Sequence, residues 1–168
     1  MENFTNETLD INQLPRYETV QFTALHPSYW RIVLLQLLIV LCLILAVIAY
    51  VALMQTELIP YMGFLTGTWV LGVFLARISF KKKAFAFREH DVLYRSGVIA
   101  TNTIVIPYNR IQHVALHEGV FSRMFGLAKI EIFTAGGNSG DIEIPGIEKI
   151  QAENIKQLLM GKIQKELS

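Results

Sequence analysis

Between Ile32 and Met54 the chain has no charged residue and one strongly polar side chain, Gln36. As an α-helix this run is about 34 Å long, slightly more than the roughly 30 Å hydrocarbon core of a bilayer, so it is read as a membrane span. A second apolar run, Leu58 to Ala76, follows after Gln55, Thr56 and Glu57 and contains Pro60, Gly63, Gly67 and Gly72. Backbone groups must be paired in lipid, which makes two adjacent apolar runs the two helices of a hairpin. A soluble fold of 168 residues could not wrap two helices apolar on every side. The first run is too long for a secretory leader, Glu2, Glu7, Asp10 and Glu18 precede it, and no small-x-small cleavage site follows closely. It is therefore expected to be retained.

The flanks fit a headgroup layer. Tyr29, Trp30 and Arg31 precede the first span, and Arg77, Phe80, Lys81, Lys82 and Lys83 follow the second, so Tyr29, Trp30, Arg31, Arg77, Lys81, Lys82 and Lys83 are the expected membrane-surface residues. The short connection has no Lys or Arg, whereas Arg16, Arg31, Arg77, the lysines and Arg88 lie on the other side. Cations resist translocation, which places both termini in the cytoplasm of a multi-pass protein of the cell membrane. The single cysteine, Cys42, is mid-span and supports neither a disulfide framework nor a Cys-based metal site. A net charge of +1 argues against nucleic acid as a partner.

In chain order, residues 1–13 read as a disordered tail and 14–31 as a juxtamembrane segment, extended or partly helical, with Ser28 a helix cap after Pro27. The spans take 32–54 and 58–76, and a cytoplasmic domain takes 84–168. Past Lys83 the pattern becomes short and alternating, as in strands. Phe85 and Phe87, then Val92 to Arg95, then Val98-Ile99 and Ile104 to Ile106 form the first strands, with Gly97 a bend and Thr101-Asn102-Thr103 a hairpin tip. Ile111 to His117 alternates, Gly119 to Leu127 is a loop with a helical turn, and Lys129 to Thr134 pairs with Asp141 to Ile144 across Gly136 to Gly140. Pro145-Gly146 is expected to stop the sheet. Ile150, Ile155, Leu158, Leu159, Ile163 and Leu167 recur at helical spacing from Glu148 onward, with Lys149, Glu153, Lys156, Lys162 and Lys165 on a solvated face. The fold class is thus a membrane helical hairpin followed by a bent antiparallel sheet of about seven strands, capped by a C-terminal helix.

Three motifs carry a resemblance: Ile106-Pro107-Tyr108-Asn109-Arg110-Ile111-Gln112-His113-Val114, Ser122-Arg123-Met124-Phe125-Gly126-Leu127, and Thr134-Ala135-Gly136-Gly137. They resemble the bacterial pleckstrin-homology-like (PH-like) domain, once classed as a domain of unknown function, and within it the YdbS-like membrane group, from about Leu14 to the C-terminal helix. The resemblance implies a bent seven-stranded sheet capped by a helix and two preceding spans. It also implies no known enzymatic activity, and a larger membrane protein with several such domains as a frequent neighbour.

Catalytic patterns are poor. Ser122, His113 and Asp141 are the residue types of a triad, but Ser122 lacks the Gly-x-Ser-x-Gly elbow. His113 and His117 would share a helix face, yet on a strand they are about 13 Å apart, too far for one metal ion. Gly136 to Gly140 lacks the Gly-Lys-Ser/Thr ending of a phosphate loop. No enzyme, cofactor or metal is expected. The leading reading is a non-catalytic module docking a protein partner or assembling into a membrane complex, or a homo-oligomer, through a strand edge, the helix groove or Arg110, Gln112 and Arg123. Those arginines could instead tie loops internally, for instance to Glu118. The alternative is a module binding anionic membrane lipid, with Lys81, Lys82 and Lys83 near the bilayer and only Arg95 on the hairpin Val92 to Ile106. Gly63-x-x-x-Gly67 is a weak signal for helix contact.

Overall fold

The structure, a computed structural model, describes residues 20–54, 59–135 and 140–167. The tail 1–13, the start of the juxtamembrane segment, the Gln55 to Glu57 turn and most of the glycine-rich turn lie outside the described residues. Helix α1 spans Pro27–Met54 and α2 spans Ile59–Lys82. Both are long and apolar enough to cross a bilayer. Pro27 opens α1 at the position where its missing N–H matters least. The cap is His26, not Ser28: the Ser28 N–H donates to His26 Nδ1 at 3.2 Å. The α1–α2 contact includes the Trp69 indole, which donates to the Leu37 carbonyl at 3.2 Å. Gly63, Gly67 and Gly72 are not part of that contact, since a Cβ at any of them would meet nothing within 4 Å.

Helix α2 does not end with its apolar run at Ala76 but continues through Arg77 to Lys82, and strand β2 (Ala84–Phe87) begins one residue later. The strands β1 (Thr23–Ala24), β2, β3 (Asp91–Gly97) and β4 (Thr101–Pro107) form one sheet in that order. After a 3-10 turn, Tyr108–Arg110, the second sheet holds β5 (Ile111–His117), β6 (Leu127–Thr134) and β7 (Ile142–Glu148). All pairings are antiparallel. Edge strand β1 comes from the segment before α1, so the chain enters the sheet, leaves for the membrane and returns beside its own first strand. At the corner between the sheets the His26 N–H donates to the Gly146 carbonyl at 2.9 Å.

Two strand boundaries differ from expectation. Thr101 to Thr103 pair in register with Gly97 to Arg95, so the hairpin tip is Val98 to Ala100. Gly97 takes φ 140°, which few other residues tolerate, and turns the chain there. Pro145 and Gly146 do not stop β7. The register slips between Ala128 and Ile130, and this bulge accommodates a proline that cannot donate to a ladder.

The core is built by period-two burial. In β6, Ile130, Ile132 and Thr134 are buried while Lys129, Glu131 and Phe133 are not. Ile144 and Ile147 of β7 and Val92 and Leu93 of β3 are likewise fully buried. Helix α4 (Lys149–Leu167) closes the open side with Ala152, Ile155, Leu159 and Ile163. Ile150 and Leu158, expected on this face, are exposed instead. The small Ala152 sets the stripe, which hydrophobicity alone does not reveal.

The φ of Gly146 is +67°, and a Cβ there would lie 2.6 Å from Tyr29 Cβ and Cγ. Gly146→Ala is therefore expected to destabilise the protein by about 1–3 kcal/mol. Gly161→Ala, in open helix, should be neutral or stabilising by about 1 kcal/mol. Thermal unfolding of the detergent-solubilised chain checks the pair, and equal responses would remove the packing argument.

Candidate functional site

Strand β2 leaves α2, β3 returns toward it, and β4 leaves again; β5 comes back and α3 (Val120–Met124) follows it. The domain therefore has an end beside the spans and a far end.

At the near end, Arg77 lies over the Trp30 ring at 4.6 Å and the Phe80 ring at 5.6 Å, and the two rings are 5.7 Å apart. Tyr29 joins at 6.2 Å from Phe80. The expected headgroup anchors thus pack on one another and hold α1 to α2. Arg31 and Lys81 are exposed. Lys82 is engaged within the fold, donating to the Val98 carbonyl at 2.6 Å and the Ile99 carbonyl at 3.2 Å. Lys83 is half-buried. Arg95 stacks on Phe22 at 3.9 Å, so the hairpin's one cation faces an aromatic ring.

A cleft of about 510 Å³ separates α1 from the domain, with Tyr29, Ile32 and Gln36 on one wall and His117, Glu118, Ser122 and Lys129 on the other. Its charges are paired. Glu118 meets Lys149 at 2.9 Å, rather than an arginine, and Glu131 meets His117 at 3.1 Å and Lys129. Lys129 also reaches Glu143 at 3.2 Å. The hydrogen bond from Lys129 holds the Glu131 carboxyl below its usual range, and the same bond raises Lys129. Tyr94 in the core is pushed up to about 12 by burial.

The far end carries a second groove, of about 400 Å³, lined by Tyr108, Asn109, Arg110, Ile111, Gln112, Ala135 and Ile163. Its floor is fixed: the Tyr108 hydroxyl donates to the Arg88 carbonyl at 2.6 Å, and Arg88 clamps Asp91. Lys162 crosses from α4 to the Glu89 carbonyl at 2.9 Å. The Ala135 N–H donates to the Arg110 carbonyl at 2.9 Å.

Arg110 and Gln112, expected to act together with Arg123, share this groove and are exposed, but Arg123 does not join them. It sits on α3, at the other end of β5, roughly 20 Å away along the strand. Ser122 and Asp141 flank opposite ends of β6, roughly 23 Å apart, so no triad assembles. Asp141 instead accepts the Thr134 N–H at 2.8 Å. His113 stacks on Phe133 at 4.1 Å while His117 faces Glu131, and no group of three potential metal ligands occurs among the described residues. Sequence reasoning missed Tyr108 and Ile163, whose pairing depends on where α4 crosses, and the Glu118–Lys149 pair, whose partners are distant in the chain.

The bacterial PH domain family matches residues 19–163, and the chain belongs to it. The transmembrane protein YdbS of Bacillus subtilis (strain 168) is 28% identical over 134 residues, covering 76% of this chain and 81% of that one. No solved structure matches. The protein is thus a member of the bacterial PH domain family with two helices long and apolar enough to span a membrane, and it is similar to the YdbS transmembrane protein.

Lys82→Met is expected to raise amide hydrogen exchange at 98–100 and to cost about 1 kcal/mol, whereas Lys81→Met should leave both unchanged. Protection that stays intact in Lys82→Met would show the contact to be idle. Because the Glu131 carboxyl titrates below its unfolded value, its contribution is present above that unfolded value and is lost as pH falls through the lowered one. Lys129→Met should move the Glu131 titration upward, as read by carboxyl NMR.

Proposed function

We propose that this bacterial PH-domain membrane protein is a non-catalytic docking module, held at the cytoplasmic face by its helical hairpin and presenting its far-end groove to a protein partner. The observation that carries the reading is the groove itself. It joins an aromatic and an aliphatic wall, Tyr108 and Ile163, to the exposed polar pair Arg110 and Gln112, at the end of the domain turned away from the spans. An exposed Arg at the rim of a slot floored by the buried Tyr108 suits a protein contact in which the Arg is the anchor. The partner class is a larger membrane protein bearing several such domains, or a second copy of this chain. A cytoplasmic location for both termini is supported by the distribution of Arg and Lys around the two spans.

Attraction to anionic lipid is the second reading, favoured by exposed Arg31 and Lys81 near the membrane, each contributing about 1 kcal/mol. It is weakened by the engagement of Lys82 and Arg95 inside the fold. Ser122, His113 and Asp141 do not converge, so this triad lends the enzyme reading no support.

A photo-crosslinker placed at Arg110 or Gln112 of the full chain in native membranes should yield a discrete protein adduct, and one at the exposed Glu143 should not. Lipid adducts alone would favour the second reading, and no difference between positions would remove the groove from consideration. Protease outside intact cells should leave residues beyond Lys83 uncut; cleavage there would reverse the orientation.

A further inference from the structure

Large apolar residues of a soluble surface are usually scattered, but three of the most exposed in this domain sit at its near end. Ile99, at the tip of the β3–β4 hairpin, is 93% exposed, and Val120 and Met124 on α3 are 77% and 73% exposed. The last two are four residues apart and share a helix face. Both elements lie beside the spans. The hairpin tip is tied to the end of α2 by Lys82, whose ammonium donates to the carbonyls of Val98 and Ile99. Helix α3 packs on α1, and the cleft between them runs from Tyr29 to Gln36.

Depth along α1 fixes where α3 lies. Gln36 is six residues, about 9 Å, deeper than the Trp30 belt. The two headgroup layers together add about 10–15 Å to the hydrocarbon core, so each is roughly 5–7 Å thick. Ile32 is covered by the domain and only 2% exposed, and the exposed apolar face of α1 runs from Leu34 to Leu53. That length is about 30 Å, equal to the hydrocarbon thickness. A domain that buries α1 at Ile32, beyond Trp30, and faces it across a cleft as far as Gln36 reaches the boundary between headgroups and acyl chains.

We propose that Val120 and Met124 of α3, beside α1, and Ile99 of the hairpin tip, beside α2, are additional membrane contacts seated in the interfacial layer of the bilayer the two spans cross. The domain then rests on the lipid at one point next to each span and is held against the surface. The occupant is lipid because these residues continue the apolar surface of the spans. Arg123, exposed next to Met124, is placed to reach phosphate with its guanidinium. This contact does not depend on the far-end groove, which stays turned away from the lipid.

The test uses the full chain with Cys42→Ser and one new cysteine, Val120→Cys, Met124→Cys, Ile99→Cys or, as control, Gln112→Cys, each carrying an environment-sensitive fluorophore. The proteins are reconstituted at high and at low protein-to-lipid ratio into phosphatidylcholine vesicles with and without phosphatidylglycerol. Blue-shifted emission and quenching by acyl-chain-borne quenchers are expected at 99, 120 and 124 in both vesicle types, with water-like emission at 112. Water-like emission at all four positions would overturn the proposal. So would a shift seen only with phosphatidylglycerol, which would assign the contact to charge, or one that vanishes on dilution of protein in lipid, which would assign it to a second copy. Loss of crosslinking at Arg110 would bear on the docking groove and leave this result untouched.

Discussion

The first turns of α1 serve two environments at once. Ile32 is buried by the domain while Leu34 faces outward, and Tyr29 lies against Gly146 so closely that the glycine has no room for a side chain. The chain supplies β1 immediately before this helix and β2 immediately after α2, so the hairpin is inserted between two neighbouring strands of one sheet. Membrane anchor and domain therefore share one packed unit. Removing the hairpin would sever the edge strand from its sheet and expose the corner that His26 closes on Gly146.

Relative magnitudes indicate what holds this unit together. Full burial of a single Ile or Leu contributes about 1.5–3 kcal/mol, and Ile130, Ile132, Ile144, Ile147 and Leu159 are all essentially inaccessible. The ion pairs around Lys129 and Glu118 are partly exposed, and pairs of that kind contribute about 0–1 kcal/mol each. The apolar core determines stability, and the charges line the cleft at the membrane boundary and set its polarity. Within the spans the order differs: Trp69 satisfies its N–H on Leu37, and Thr68 returns its hydroxyl to the backbone of its own helix, because no water is present to do so.

Much of the fold was legible from periodicity. The long apolar runs, the alternation of β6 and the amphipathic α4 each follow from which residues must avoid water. What was not legible depended on contacts between distant parts of the chain. The brief β1 has no alternating pattern of its own and is a strand only because β2 accepts it. The hairpin tip was misplaced because Val98-Ile99 reads as strand, whereas the turn is dictated by Gly97 and held by Lys82. Of the residues expected to form a docking site, Arg110 and Gln112 share one groove. Arg123 is separated from them by the length of β5, which linear spacing cannot convey.

Only Lys83 lies between the last residue of α2 and the first of β2. A connection of one residue has little slack, so a displacement of the end of α2 moves the start of β2 with it. A tilt or roll that the bilayer or a neighbouring span imposes on α2 is passed to the first strand that follows it. A change in lipid thickness would thus become mechanical input to the domain without any bound messenger.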